Sequence, residues 1–324
     1  MGTKKWLLEA GLRYDQRSIF STSNNDGRQY PDRSYNSVST NAGATYRIKN
    51  DFLLTLSASS AWRAPNINEL YSDGLHHGAA RIEKGDSSLS PERANGIITG
   101  LSFNRNRWSV DIGIYTKLIN DFIYLEPTYP PQLTIRGAFP SFKFSQTNAR
   151  LSGTDISVAY EISHHISWAG KASILRAWNR KANDWLIQMP ADRFENELGY
   201  TFRNGKFFKE SYLKLNAQNV LKQNRIPADG PIEITKPDGS VIKASDYAPP
   251  PGAYMLFGFE AGTEISMGKH NFFLIIGVSN LFNKVYRDYM NAFRYYCDDM
   301  GRNISLRIKM PFELPKQGKQ KINS

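Results

Sequence analysis

The stretch Trp108-Ser109-Val110-Asp111-Ile112-Gly113-Ile114-Tyr115-Thr116-Lys117-Leu118 decides the fold. Trp108, Val110, Ile112, Ile114 and Leu118 fall on one phase of a two-residue repeat, and Asp111 and Lys117 on the other. A strand turns alternate side chains to opposite faces, so this is a strand with one apolar and one polar face. The pattern recurs along the chain. Leu54, Leu56, Ala58 and Trp62 oppose Thr55, Ser57, Ser59 and Arg63; Ile156, Val158, Tyr160 and Ile162 oppose Asp155 and Glu161. Ile304, Leu306, Ile308, Met310 and Phe312 oppose Arg307 and Lys309. Only the strands near 94–103 and 166–177 are less clean, with Lys171 and Arg176 in opposite phases.

Working outward, strands are predicted at 5–14, 37–48, 52–63, 93–104, 107–118, 141–162, 165–178, 190–203, 209–221, 252–265, 269–282 and 301–312, with 119–126 a candidate extension. The connections alternate. Residues 49–51, 105–106, 163–164, 204–208 and 266–268 are short; 15–36, 64–92, 119–140, 222–251 and 283–300 are long, and 179–189 is intermediate. A soluble sandwich gives no reason for that rhythm. A membrane barrel does, with tight turns on the periplasmic side and long loops outside. Its lipid-facing phase excludes charge, because Lys or Arg at mid-bilayer costs about 2–4 kcal/mol. Aromatic residues gather where strands meet turns. Tyr46, Phe52, Phe103, Trp108, Phe202, Phe207 and Phe208 flank short turns, while Tyr14, Trp62, Phe122, Tyr124 and Trp178 lie near the long ones. Two girdles at opposite rims fit aromatic anchoring at the membrane surfaces.

Composition narrows the class. The 324 residues are 40 % hydrophobic and 13 % aromatic, with a mean hydropathy of −0.49. No run approaches the roughly 18 apolar residues of a membrane helix. Cys297 is the single cysteine, so a disulfide scaffold is excluded. The net charge of +11 is spread along the chain apart from the tail Lys316–Lys321. No nucleic-acid-binding motif accompanies it, so nucleic acid is not an expected partner. The opening MGTKKWLLEAGLRYD lacks the apolar core of a signal peptide.

Four segments resemble the C-terminal part of the barrel of a TonB-dependent outer-membrane receptor. Ser59 to Tyr71 (SSAWRAPNINELY) resembles that family's strand-to-loop passage. Gly74-Leu75-His76-His77-Gly78, then Glu83-Lys84-Gly85-Asp86 and Leu89-Ser90-Pro91-Glu92, resembles its following loop. Asn280 to Tyr286 (NLFNKVY) resembles a strand end, and Gly301-Arg302-Asn303-Ile304 to Phe312 the closing strand. They occur in the family's order over about 52–312. The resemblance implies an all-β, antiparallel transmembrane barrel of about 22 strands around a plug, of which residues 1–312 supply about twelve strands and 313–324 form a polar, basic tail. No plug, TonB box or signal peptide is recognised ahead of the first strand. The expected function is TonB-dependent uptake of a scarce nutrient across the outer membrane of a Gram-negative bacterium. A ferric siderophore or related iron chelate leads the cargo list, with haem, zinc and cobalamin as relatives. Expected partners are the TonB complex through the plug, the extracellular ligand, lipid and lipopolysaccharide. No catalysis, cofactor or resident metal is expected. A passive channel or barrel enzyme, and a soluble β-sandwich binding module, are the alternatives.

The candidate ligand contacts are His76, His77, Arg63 and Arg81. His76 and His77 read either as contacts to a metal, haem or chelate, or as a loop motif packing over the barrel mouth. Arg63 belongs to a lumen-facing set with Arg13, Arg47, Lys117, Arg203, Lys214, Arg307 and Lys309. That set either attracts an anionic ligand or pairs with Glu9, Asp111, Asp155, Glu195, Glu197 and Glu260. Gly85-Asp86-Ser87-Ser88-Leu89 looks like an esterase nucleophile, but no His follows position 270 to serve as its base. His164 and His165 read as solvated turn residues.

Overall fold

The computed structural model describes residues 5–22, 27–235, 238–267 and 270–311. One antiparallel sheet holds twelve long strands in chain order. They are β1 (Trp6–Ile19), β2 (Arg33–Lys49), β3 (Phe52–Arg63), β4 (Glu92–Arg105), β5 (Trp108–Thr134) and β6 (Gly137–Glu161). There follow β7 (Ile166–Asn179), β8 (Arg193–Thr201), β9 (Phe208–Val220), β10 (Tyr254–Met267), β11 (His270–Ser279) and β12 (Asn303–Lys309). All twelve predicted strands are present. Phe312 and the tail 313–324 lie outside the described residues.

The register carries the alternation across the sheet. One row runs Trp6, Tyr46, Leu54, Leu101, Ile112, Ile156, Ala172 and Phe194 over eight strands, without a charge. The adjacent row on the opposite face runs Ser102, Asp111, Ser157, Lys171, Glu195 and Gln218. Ser102 Oγ donates to Asp111 at 2.6 Å, and Gln218 Nε2 to Glu195 at 3.2 Å. The polar face also holds Lys214 at 2.9 Å from Glu197, and Arg307 paired with Glu260. Arg176 shares the outward phase of Ala172, but it sits at the long-loop end, where it reaches Asp192 at 2.7 Å. Lys171 keeps to the polar row. The irregular phase of β7 is therefore a rim feature.

The connection 119–140 is not a loop. β5 and β6 continue as a tall hairpin closed by Ile135-Arg136. β4 stops pairing at Asn120, which frees the other edge of β5 above that point. Pro127, Pro130 and Pro131 lie in this freed stretch, where a missing N–H costs no ladder bond on that side. Their presence makes the segment look like a loop in the sequence. A bulge between Ile119 and Phe122, with Asp121 at φ +55°, shifts the β5–β6 register. Above it Ile123 and Phe144 pack with Ile19, Leu70 and Leu89. Ile19 shares the phase of Arg13 and Asp15, so this cluster lies on the polar-face side of the wall, at its long-loop end.

The apolar face accounts for the first prediction. Ile112→Arg and Val158→Arg each place a charge on the apolar face and cost about 2–4 kcal/mol at mid-bilayer. Both should abolish the heat-modifiable barrel band in membrane fractions. Asp111→Arg and Ser157→Arg, one residue away on the other face, should leave it intact. Equal tolerance of all four would contradict the face assignment.

Candidate functional site

The long connections converge on one end of the sheet. The segment leaving β3 is organised by Arg63. Its guanidinium donates to both oxygens of Glu69, at 3.0 and 2.8 Å, and to both oxygens of Glu92, at 3.0 and 2.8 Å. Glu69 also accepts the Asn66 backbone N–H at 2.7 Å, forming the capping box of a five-residue helix, α1 (Ile67–Tyr71). Ala64, Pro65 and Leu70 are buried. Gly85 lies against the end of α1, where a Cβ would meet Tyr71 N at 2.5 Å. Asp86 accepts the Ser88 backbone N–H and hydroxyl at 2.7 and 2.6 Å, and these bonds hold its carboxyl below the usual range. The Gly-Asp-Ser sequence is thus a packing turn, with the carboxylate committed to Ser88 and not to Ser87.

After α1 comes a small hairpin, Asp73–His76 with Arg81–Lys84. Its second strand lies parallel to the upper part of β6, pairing Ile82 with Ser141 and Glu83 with Phe142. The hairpin brings His76 and Arg81 onto one carboxylate: His76 Nδ1 lies 3.0 Å, and Arg81 Nε 2.7 Å, from Glu83 Oε1. His77 turns the other way, with Nδ1 3.3 Å from Arg136 at the tip of the β5–β6 hairpin. Arg81 stands 5.4 Å over the ring of Phe142, which has no exposed surface. Three of the four sequence candidates therefore share one structural unit. Arg63 is separate, with its donors committed to two carboxylates.

The structure adds a group that the sequence did not single out. Arg294, in the connection after β11, is buried with Asp246 from the connection after β9, and the two are ion-paired. Tyr295 donates to Asp246 at 2.7 Å, and the guanidinium lies 4.5 Å from the rings of both Tyr289 and Tyr295. Burial pushes the Asp246 carboxyl up against the pull of Arg294, and pushes the Tyr295 hydroxyl up as well. Tyr247 donates to the Thr128 carbonyl and accepts from Ser141 N at 3.1 Å. Tyr296 donates to the Ala80 carbonyl at 2.6 Å. Three connections and the β5–β6 hairpin are thereby latched together. Only the local richness in Tyr and Arg of 286–296 hints at this in the sequence. Beside the latch, Tyr124, Trp185, Pro227 and Asp229 border a cavity of about 380 Å³, within the size range of small-ligand pockets.

Two recognised motifs form a second lock. The Asn280 side chain accepts Lys284 N at 2.7 Å and donates to the Lys284 carbonyl at 2.8 Å. Asn283 accepts Arg302 N at 2.9 Å. A Cβ on Gly301 would lie 2.7 Å from Asn283 Oδ1, so a side chain there would displace the amide that holds Arg302 N. Among the described residues, no three His, Cys, Asp or Glu side chains converge as a metal-ligand set. Cys297 is exposed. His165 Nδ1 is bonded to the Thr201 carbonyl at 2.8 Å.

Breaking the latch tests its energetic role. Arg294→Met leaves Asp246 buried without its cation, a change that typically costs about 3–5 kcal/mol. The expected result is new protease nicking within 222–251 and 283–300, with barrel assembly preserved. Asp246→Asn with Arg294→Met should recover much of the protection, because no unpaired charge remains. Unchanged nicking in the single variant would contradict the latch.

The family model described as TonB dependent receptor-like, beta-barrel, matches residues 2–281. The chain is similar to the structure of the copper transporter OprC, at 18 % identity and a TM-score of 0.70, over 95 % of this chain and 46 % of that one. It is similar to the FrpB iron transporter of Neisseria meningitidis at 15 % and 0.62, over 95 % and 43 %. It is also similar to the ferric citrate transporter FecA at 14 % and 0.64, over 94 % and 42 %. At these identities the likeness is one of fold, and the chain spans less than half the length of each. With its twelve-strand sheet, its one apolar face and a family match across most of its length, the chain belongs to the TonB-dependent receptor-like β-barrel family.

Proposed function

We propose that this chain forms the C-terminal portion of the barrel of an outer-membrane transporter of a Gram-negative bacterium, which imports a ferric siderophore or a related iron chelate. In this reading β1 and β12, each paired on one side only among the described residues, meet further strands in a closed barrel of about 22. The short turns face the periplasm and the long connections face outward. A plug would couple the cargo to the TonB complex. The cargo is moved unchanged, so the protein is not an enzyme.

The observation that carries the reading is the convergence of the outer connections on the hairpin 73–84. That hairpin holds His76 half-exposed beside Arg81, and His77 beside Arg136. Imidazole and guanidinium donors at a mouth suit an anionic metal chelate. His76 and His77 are the proposed contacts, with Arg81 holding Glu83 beside them. On this reading Arg63 acts indirectly, and its ion pairs with Glu69 and Glu92, which brace the loop, support that.

Cells whose sole route for the tested metal is the receptor carrying this chain would be supplied in turn with labelled ferric citrate, a ferric catecholate and copper. Uptake of one of the ferric chelates should vanish when TonB is removed. His76→Ala with His77→Ala should weaken its binding about tenfold, the scale of one lost charged hydrogen bond, without loss of the heat-modifiable band. Copper uptake alone would change the cargo. Ion conductance without any TonB-dependent uptake would favour a passive channel.

A further inference from the structure

The upper β5–β6 hairpin separates two sets of connections. On one of its faces Ile123, Leu125 and Phe144 pack with Leu70 and Leu89 from the segment after β3. Tyr124 and Glu126 alternate with Ile123 and Leu125 and so belong to the other face. There they line the cavity of about 380 Å³, together with Asp184 and Trp185 from the connection after β7 and Asp229 and Ser245 from the connection after β9. Among the described residues, none of 64–92 lines it, so the cavity is separate from the hairpin that carries His76 and His77.

The lining is acidic and aromatic. It carries three carboxylates and two rings, and no Lys, Arg or His among the described residues. Glu126 accepts from Ser145 Oγ at 2.8 Å and lies 3.2 Å from Lys143, whose side chain is half-exposed. Asp184 accepts Trp185 N at 2.7 Å and Ala228 N at 2.9 Å, which ties two connections together without a cation. Asp229 is exposed and has no ion pair among the described residues. The three carboxylates do not converge as a metal-ligand set. Spread around a cavity with two rings, they suit a cation that has length and apolar surface.

Ser245 points to a ligand independently of the charge. It is 7 % exposed, and its hydroxyl has no hydrogen-bond partner among the described residues. Buried hydroxyls are as a rule bonded, so one left open at a cavity wall marks the place of a partner. It stands beside Asp229, because Gly230 is packed on its backbone: a Cβ on Gly230 would lie 2.3 Å from Ser245 Cα.

We infer that this cavity is a binding site for a primary alkylammonium group. Asp229 and the Ser245 hydroxyl accept from the ammonium, and the fields of Glu126 and Asp184 favour its charge. Tyr124 and Trp185 cover the cation and its aliphatic stem. The group is supplied by a free amine or by the amine arm of a larger ligand, a metal chelate included. The inference rests on the geometry of the connections and not on the identity of the cargo.

The test uses the receptor containing this chain, purified in detergent as a heat-modifiable band and titrated by calorimetry with pentylammonium and with the isosteric pentanol. Pentylammonium should bind about tenfold more tightly, the scale of one charged hydrogen bond. Asp229→Asn should remove about that tenfold preference, and Glu126→Gln a smaller part of it, because Glu126 acts through its field. Both variants should keep the heat-modifiable band and the affinity for pentanol. A ferric trihydroxamate with a free terminal ammonium, set against its N-acetylated twin, separates the two sources. An advantage of the free ammonium that Asp229→Asn removes assigns the site to the arm of a chelate; twins of equal affinity beside bound pentylammonium assign it to a free amine. Equal binding of pentylammonium and pentanol, or a preference untouched by Asp229→Asn, overturns the site. Absence of TonB-dependent uptake of every ferric chelate overturns the cargo reading and leaves the pentylammonium result as it stands.

Discussion

Backbone hydrogen bonding in a medium without water is the constraint on which the rest depends. An unpaired N–H or C=O in hydrocarbon costs several kcal/mol, so only helices and closed sheets cross it. Helices are nearly absent from the described residues. Every strand from β2 to β11 is hydrogen-bonded on both sides over the length that would lie in the membrane. That ladder leaves side chains free to meet two solvents. Alternation then follows directly: rows such as Leu101–Ile112–Ile156 face one way, and Ser102–Asp111–Ser157 the other. The ordinary rule of apolar residues inside is inverted for this sheet. Leu56, Ile97, Ile114 and Leu306 are exposed because lipid, not protein, is their expected neighbour.

Outside the membrane the same chain must build a compact surface from long connections with few ladders to hold them. It does so with charge and aromatic contacts. Arg63 gathers Glu69 and Glu92, Arg176 and Arg225 share Asp192, and Arg294 takes Asp246 into the interior. Taking such ions out of water is costly, and a buried pair is a poor source of net stability. Its geometric demand is the more useful property. A guanidinium held between Tyr289 and Tyr295 admits one arrangement of the two connections that carry it, so the mouth gains a defined shape without a large apolar core.

This division explains what was legible in the sequence. All twelve strands were visible because lipid forbids charge on one phase, leaving a pattern readable residue by residue. The family motifs were legible for a different reason. They are folding devices: Asn280 and Asn283 lock a turn against Gly301, Gly85 fits against α1, and Arg63 braces a loop. A device with one solution leaves a recognisable string. The β5–β6 extension was misread because its prolines, harmless on a freed edge, carry the signature of a loop. The Arg294–Asp246 latch was missed because its partners lie 48 residues apart in separate connections, with no periodicity to link them. Cargo contacts are the least legible class, since neither backbone geometry nor solvent dictates their identity.

Arg63 shows why recognisability and function separate. It is the most distinctive basic residue in the resemblance, and as a lumen-facing cation it is a natural ligand contact. The structure gives it four hydrogen bonds to two carboxylates. A guanidinium so occupied would have to leave both carboxylates unpaired before it met an anion, at a cost larger than the contact returns. His76 is under no such constraint. It shares one Glu83 oxygen with Arg81, so a ligand that took the imidazole would leave Glu83 with its arginine. On the proposed function, the ligand contacts are therefore sought among residues with replaceable partners, carried on a loop braced by Arg63 with Glu69 and Glu92.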